Sequence, residues 1–270
     1  TARDRIIITV TAAPAVITIP PAGYSLAFSD DFNGTALDPA RWGVFNSGDA
    51  PAGSWESQRV HRVASAVAVS DGTLKLTARR DNQTPPHYYV PAVSSQHKVE
   101  TIYGYIETRV KLDAGVEGGF GSFWMRHYQA DGGVNWEIDI FEHYGGANRQ
   151  FKNRMQHTVH FNNWQGSNIR YTTGVTESAW HIVGLLWTPE GYSYHVDGRW
   201  AAPSREHPTG LSHSLRFSQG VGNYWGGNPD NGIFPATSEY DYVRVYKPGP
   251  GVPHAPLPPA GSISIISASV

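Results

Sequence analysis

The 270-residue sequence has no cysteine and only two methionines, and its 21 Lys and Arg are balanced by 23 Asp and Glu to a formal charge of -2. The lack of cysteine excludes a disulfide framework and thiolate metal sites, and it is compatible with bacterial export and cytosol alike. With no basic surplus and no long charge block, little is available to neutralise a phosphate backbone, which argues against nucleic acid as a partner. No run approaches the ~18 apolar residues of a membrane span, which argues against a membrane partner. The N-terminus also lacks the basic-then-apolar layout of an export signal. The expectation is a secreted, monomeric protein whose signal was removed before residue 1. Long stretches of helical periodicity are absent, which excludes alternating β and α units.

Aromatic residues are abundant. Nine Trp and 14 Tyr supply flat amphipathic rings suited to stacking on sugars, and equally suited to filling a large sandwich core. Short β-rich runs recur with turn residues between them, among them GTLKLTARR, IYGYIETRVKLD, FGSFWMRHY, WEIDIFEHYG, RMQHTVHF, WHIVGLLW, SLRFSQGV and YDYVRVYK. This spacing predicts an all-β, two-sheet antiparallel sandwich. Pro-rich flanks bracket it: residues 1–21 read as a linker or edge segment and 249–270 as a Pro/Gly-rich linker, leaving 22–248 as one folded domain.

The run from Ile102 to Leu112 alternates, with Ile102, Ile106, Val110 and Leu112 on one face and Tyr103, Tyr105, Glu107, Arg109 and Lys111 on the other. One face packs; the other is expected to meet a polar cleft or water. Ile182, Val183, Leu185, Leu186 and Trp187 instead form a continuous apolar run, predicting a strand covered on both faces by stacked sheets.

The strongest chemical signal is WEIDIFEHYGG, residues 136–146, with three carboxylates within six residues of an otherwise apolar strand. Strict alternation puts Glu137 and Asp139 on one face and Glu142 on the other. One extra residue around Ile140 or Phe141, a β-bulge, would bring all three together. Four effective steps of ~3.3 Å separate the glutamates by ~13 Å, and side chains leaning ~4 Å toward each other leave carboxyls about 5 Å apart, the spacing of a retaining glycosidase pair. Three acids on one face repel, so at least one holds its proton more tightly than usual, as general acid catalysis requires. A calcium site or a solvated acidic face explains the cluster less well, because the acids are interleaved with Trp136, Ile138, Ile140 and Phe141 rather than carried on a loop.

WEIDIFE resembles the E-x-D-x-x-E signature of glycoside hydrolase family 16, the laminarinases, lichenases, agarases and carrageenases. YGYIETRVK, SFWM, LLWTPEGYSYHVDG and YDYVRVYK resemble further strands of that family in the same order. The resemblance implies a jelly-roll (concanavalin A-like) sandwich with a concave substrate cleft. It implies Glu137 as nucleophile, Glu142 as general acid/base and Asp139 as the carboxylate that tunes the nucleophile. No cofactor is implied for catalysis. The substrate is expected to be a polysaccharide, first β-1,3-glucan or mixed-linkage β-glucan. The agarase-like ring of EHYGGANRQFKNRMQH keeps an agarase or galactanase alternative open, and a non-catalytic carbohydrate-binding sandwich is the alternative of another class. Trp136 stands where laminarinases commonly carry Gly.

The same resemblance implies substrate contacts for Glu107, Arg109, Trp124 and His160; a cross-strand ion pair, core packing and a structural histidine are the competing readings. Trp225, in a Gly-rich loop, is a candidate cleft rim. His157 and His160, three apart, fall on opposite faces of a strand and make a poor metal pair. Asp31 and Asp241, with a backbone carbonyl near Gly72, resemble the ligands of a structural calcium site.

Overall fold

The structure, a computed structural model, describes residues 19–46, 59–113, 117–128, 135–145, 153–163, 165–201, 203–222 and 227–258. Alternating β-branched and aromatic residues turn most of these segments into strands, which stack as two sheets. The back sheet runs in the order Arg199–Trp200, Gly191–Val196, Trp180–Thr188, Gly104–Lys111, Ala236–Pro248, Thr73–Arg80, Tyr88–Val90 and Val60–Arg62. The front sheet runs Gly166–Thr173, Arg154–Phe161, Trp136–Tyr144, Gly119–His127, His213–Val221, Ala92–Ser94 and Gly43–Val44. Pairing along both is antiparallel except between Val60–Arg62 and Tyr88–Val90. The inward faces meet in one large core to which Ile106, Phe123, Ile138, Val183, Phe217 and Val243 belong.

The apolar run around Leu186 is covered on both faces, as expected, but the second cover is not a sheet. Val183, Leu185 and Trp187 join the inter-sheet core, whereas Leu186 packs outward with Tyr105 and Leu257. The Ala255 N–H donates to the Tyr24 hydroxyl at 3.0 Å, and Leu257 is 5% exposed. Packed structure therefore continues past residue 248, and the first part of the expected linker straps the outer face of the back sheet. Residues 1–18 and 259–270 lie outside the described residues. Among the described residues, no helix is long and apolar enough to cross a membrane.

Candidate active site

The acidic strand Trp136–Tyr144 lies within the front sheet, between Gly119–His127 and Arg154–Phe161. Asp139 stands opposite Trp124 and Phe141 opposite Phe123, so Ile140 is the extra residue. Ile140 and Phe141 both turn into the core, fully buried. Two consecutive inward residues return Glu142 to the face of Glu137 and Asp139, as the failed alternation predicts. The bulge leaves the Ile140 carbonyl outside the ladder, and the His157 Nδ1–H donates to it at 2.6 Å. His157 Nε2 accepts from the Thr172 hydroxyl at 2.8 Å, and its ring stacks on Tyr194 with centroids 4.6 Å apart. Burial pushes the His157 pKa down to about 4, which keeps the ring neutral. His157 and His160 do lie on opposite faces; the core histidine fixes the bulge and the other joins the acids.

Asp139 and Glu142 titrate abnormally because they are shielded from water and close to other acids. Burial, then the neighbouring charge of Asp139, pushes the Glu142 pKa up to about 8. A hydrogen bond from Tyr144 partly offsets this, and Gln156 Nε2 donates to Glu142 Oε2 at 3.1 Å. Asp139, 3% exposed, is raised well above the usual carboxylate range by burial and by Glu137. His160 Nε2 approaches Asp139 Oδ2 at 3.2 Å and Glu137 Oε1 at 3.9 Å. Asp139 Oδ2 has no aligned donor, so the shorter approach is an electrostatic contact. Glu137, Asp139 and His160 offer ligand atoms within 4.8 Å of one another, the one set among the described residues that could hold a metal ion. Such an ion would occupy the carboxylates of Glu137 and Asp139.

A cavity of about 290 Å³ opens over the acids and is lined by Arg62, Ser122, Trp124 and Ser218 among others. The Trp124 indole N–H donates to Ser218 Oγ at 3.1 Å, leaving the ring face toward Arg216, whose guanidinium carbon is 4.9 Å from the ring centroid. Arg216 Nη2 donates to Gln96 Oε1 at 2.7 Å. Burial first, then repulsion from Arg126, pushes the Arg216 pKa down to about 10; Arg62 adds to the effect and Glu137 opposes it. Three arginines thus crowd one side of the acids, and the sequence reading missed them. Arg126 was legible, because alternation from Trp124 places it on the same face, directly opposite Glu137.

Other expected site residues lie elsewhere. Glu107 and Arg109 belong to the back sheet and point away from the cavity. Glu107, 5% exposed, accepts from the Tyr105 hydroxyl at 2.9 Å. Arg109 pairs with Asp241 at 2.7 Å and lies 4.5 Å from the Trp180 ring centroid. These are outer-face contacts, so the reading of both as substrate ligands is corrected: Arg109 makes a cross-strand ion pair with Asp241, and Glu107 is held by a tyrosine hydroxyl. Asp31 is paired with Arg244 at 3.2 Å, and Gly72 forms a tight turn at φ 71°. With guanidinium groups on both Asp31 and Asp241, the expected set does not fit a cation that takes six to eight oxygens. Adding a chelator is accordingly expected to leave the melting temperature unchanged; a fall of several degrees would restore calcium to this face. Trp225 lies outside the described residues.

A family model described as "Beta-porphyranase A-D, GH16 domain" matches residues 25–248. The chain belongs to glycoside hydrolase family 16. Among relatives of this family-16 chain, the glucan endo-1,3-β-glucosidase A1 of Niallia circulans is 28% identical over 265 residues, covering 84% of this chain and 38% of the relative. The keratan-sulfate endo-1,4-β-galactosidase of Sphingobacterium multivorum is 26% identical, covering 85% of this chain and 57% of the relative. The chain therefore spans between about two fifths and three fifths of these curated relatives. Among solved structures, the endo-β-1,3-glucanase of Pyrococcus furiosus is 25% identical with a TM-score of 0.72, covering 83% of this chain and 94% of that one. The laminarinase of Rhodothermus marinus is 27% identical with a TM-score of 0.68, covering 83% and 97%. The all-β jelly-roll expectation is borne out.

Proposed function

We propose that this chain is a retaining endo-β-glycosidase that cuts internal linkages of a polysaccharide. The observation that carries this is the bulge at Ile140, which gathers Glu137, Asp139 and Glu142 on one face and leaves Glu142 with a raised pKa of about 8. Glu142, protonated at neutral pH, donates its proton to the departing glycosidic oxygen while Glu137 attacks the anomeric carbon. The ionised Glu142 then takes a proton from water, which attacks the anomeric carbon and displaces Glu137. Asp139 acts on Glu137 electrostatically. Proton NMR of the first product is expected to show the retained anomer; initial release of the inverted anomer would overturn the assignment of Glu137 as nucleophile.

β-1,3-Glucan is the first substrate, supported by the glucanase relatives. A specific feature of the cleft favours a second: Arg62, Arg126 and Arg216 beside the acids suit a sulfate-bearing galactan, the class suggested by the porphyranase model and the keratan-sulfate relative. On that reading, Arg126→Ala lowers kcat/KM on porphyran by about 10- to 100-fold, the range of a charged hydrogen bond, and salt inhibits wild-type cleavage of porphyran more than of laminarin. Reducing-sugar release from laminarin, lichenan, agarose, porphyran and carrageenan decides between the two. Cleavage of neutral glucans alone would reject the galactan.

A further inference from the structure

The edge strand Gly166–Thr173 carries its side chains the wrong way round for burial. The Ser167 hydroxyl meets His160 on the cleft face, and the Thr172 hydroxyl meets core-facing His157. Alternation then puts Ile169 and Tyr171 on the cleft face and Asn168 and Arg170 on the other. Ile169 is 42% exposed and Tyr171 45%, whereas Asn168 is 7% exposed. A slip of one residue would bury the apolar pair and free the polar one, so burial alone favours the opposite register. Large side chains left on an open face ask for a partner.

Their position says which partner. Tyr171 stands opposite Gln156, which stands opposite Glu142; Ile169 stands opposite Thr158, which stands opposite Asp139. The pair thus occupies the same two cross-strand rows as the acids, two strands or about 10 Å away. Trp124 and the arginines lie on the other side of the acidic strand. A polymer cut internally extends both ways from the scissile bond, and the described residues that line the cavity lie from the acids toward Trp124, none of them on Arg154–Phe161 or Gly166–Thr173. We infer that Tyr171 and Ile169 form a carbohydrate-binding platform for the other arm, with the Tyr171 ring stacking on a sugar face. The inference rests on the hydrolase reading and adds a subsite to it.

The test compares wild type, Tyr171→Ala and Tyr171→Phe on laminarin, porphyran and size-fractionated oligosaccharides of each. With whichever polymer is cut, Tyr171→Ala is expected to raise KM roughly five- to tenfold, as for one lost ring stacking, and to lose the gain in kcat/KM with chain length. Tyr171→Phe should keep both near wild type. Wild-type KM and chain-length dependence in Tyr171→Ala would overturn the platform, as would an equal loss in Tyr171→Phe. Electrophoresis through gels containing each polymer separates the two ideas. If the wild type is retarded, Tyr171→Ala is not, and neither polymer is cut, the platform stands and the hydrolase reading falls. Equal retardation of the two proteins would overturn the platform.

Discussion

Replacing Glu137 by Gln is expected to lower kcat on the natural polymer on the order of 10⁴-fold or more, while the circular dichroism spectrum and retention on polymer gels are preserved. Glu137 lines the cleft with a partly exposed side chain, 16% accessible, opposite Arg126. Arg216 and His160 surround it with further positive or ionisable groups. A neutral amide forms no glycosyl-enzyme, so the double displacement has no alternative route. Glu142→Ala removes only the proton donor and is expected to cost 10²- to 10⁴-fold on polymer, with rescue by azide or by substrates whose leaving group needs no proton. Asp139→Asn should cost less than either change, because Asp139 is buried behind the reacting pair. Activity of Glu137→Gln within tenfold of wild type would remove Glu137 from the chemistry.

The acidic strand was legible because its letters conflict with its period. Three acids at positions 137, 139 and 142 cannot share a face of a regular strand, and the conflict has one economical resolution, a bulge between the last two. What fixes the bulge was hidden, since His157 acts on Ile140 from the neighbouring strand. Glu107 and Arg109 went astray for a related reason. Alternation states which residues share a face, yet only pairing with Trp180–Thr188 and Ala236–Pro248 reveals that this face looks away from the cleft. Arg62, Arg126 and Arg216 come from three separate strands, so no local window contains the basic cluster they form. The Pro-rich stretch after residue 248 reads as a linker by composition, but Leu257 packs in one cluster with Tyr105 and Leu186. Asp31 and Asp241 kept the letters of a calcium site while arginines from back-sheet strands took up their charge.

Glu142→Gln is expected to disable the protein and stabilise its fold, with a gain that grows as pH rises. In the folded state burial holds the Glu142 proton up to about pH 8, against an ordinary value of 4.5. The unfolded chain therefore releases this proton first, and wild-type stability falls as pH rises from about 4.5 to 8. Below that window the acid is neutral in both states and contributes nothing through ionisation. Above it the fold carries the full cost of a buried charge beside Asp139, on the order of 5 kcal/mol. Gln removes the charge and keeps the local bonds. Its carbonyl accepts from Gln156, and the Tyr144 hydroxyl can accept from its amide. Melting curves of the two proteins should coincide near pH 4.5 and diverge toward pH 9, where the variant melts on the order of 10 °C higher. The same proton sets the alkaline limb of kcat/KM near pH 8. Tyr144→Phe removes a hydrogen bond that favours the carboxylate, so it should move that limb upward. Parallel melting curves across this range, with an alkaline limb unmoved by Tyr144→Phe, would show that Glu142 is not the group holding the proton, and the general acid would have to be sought in Asp139 or His160.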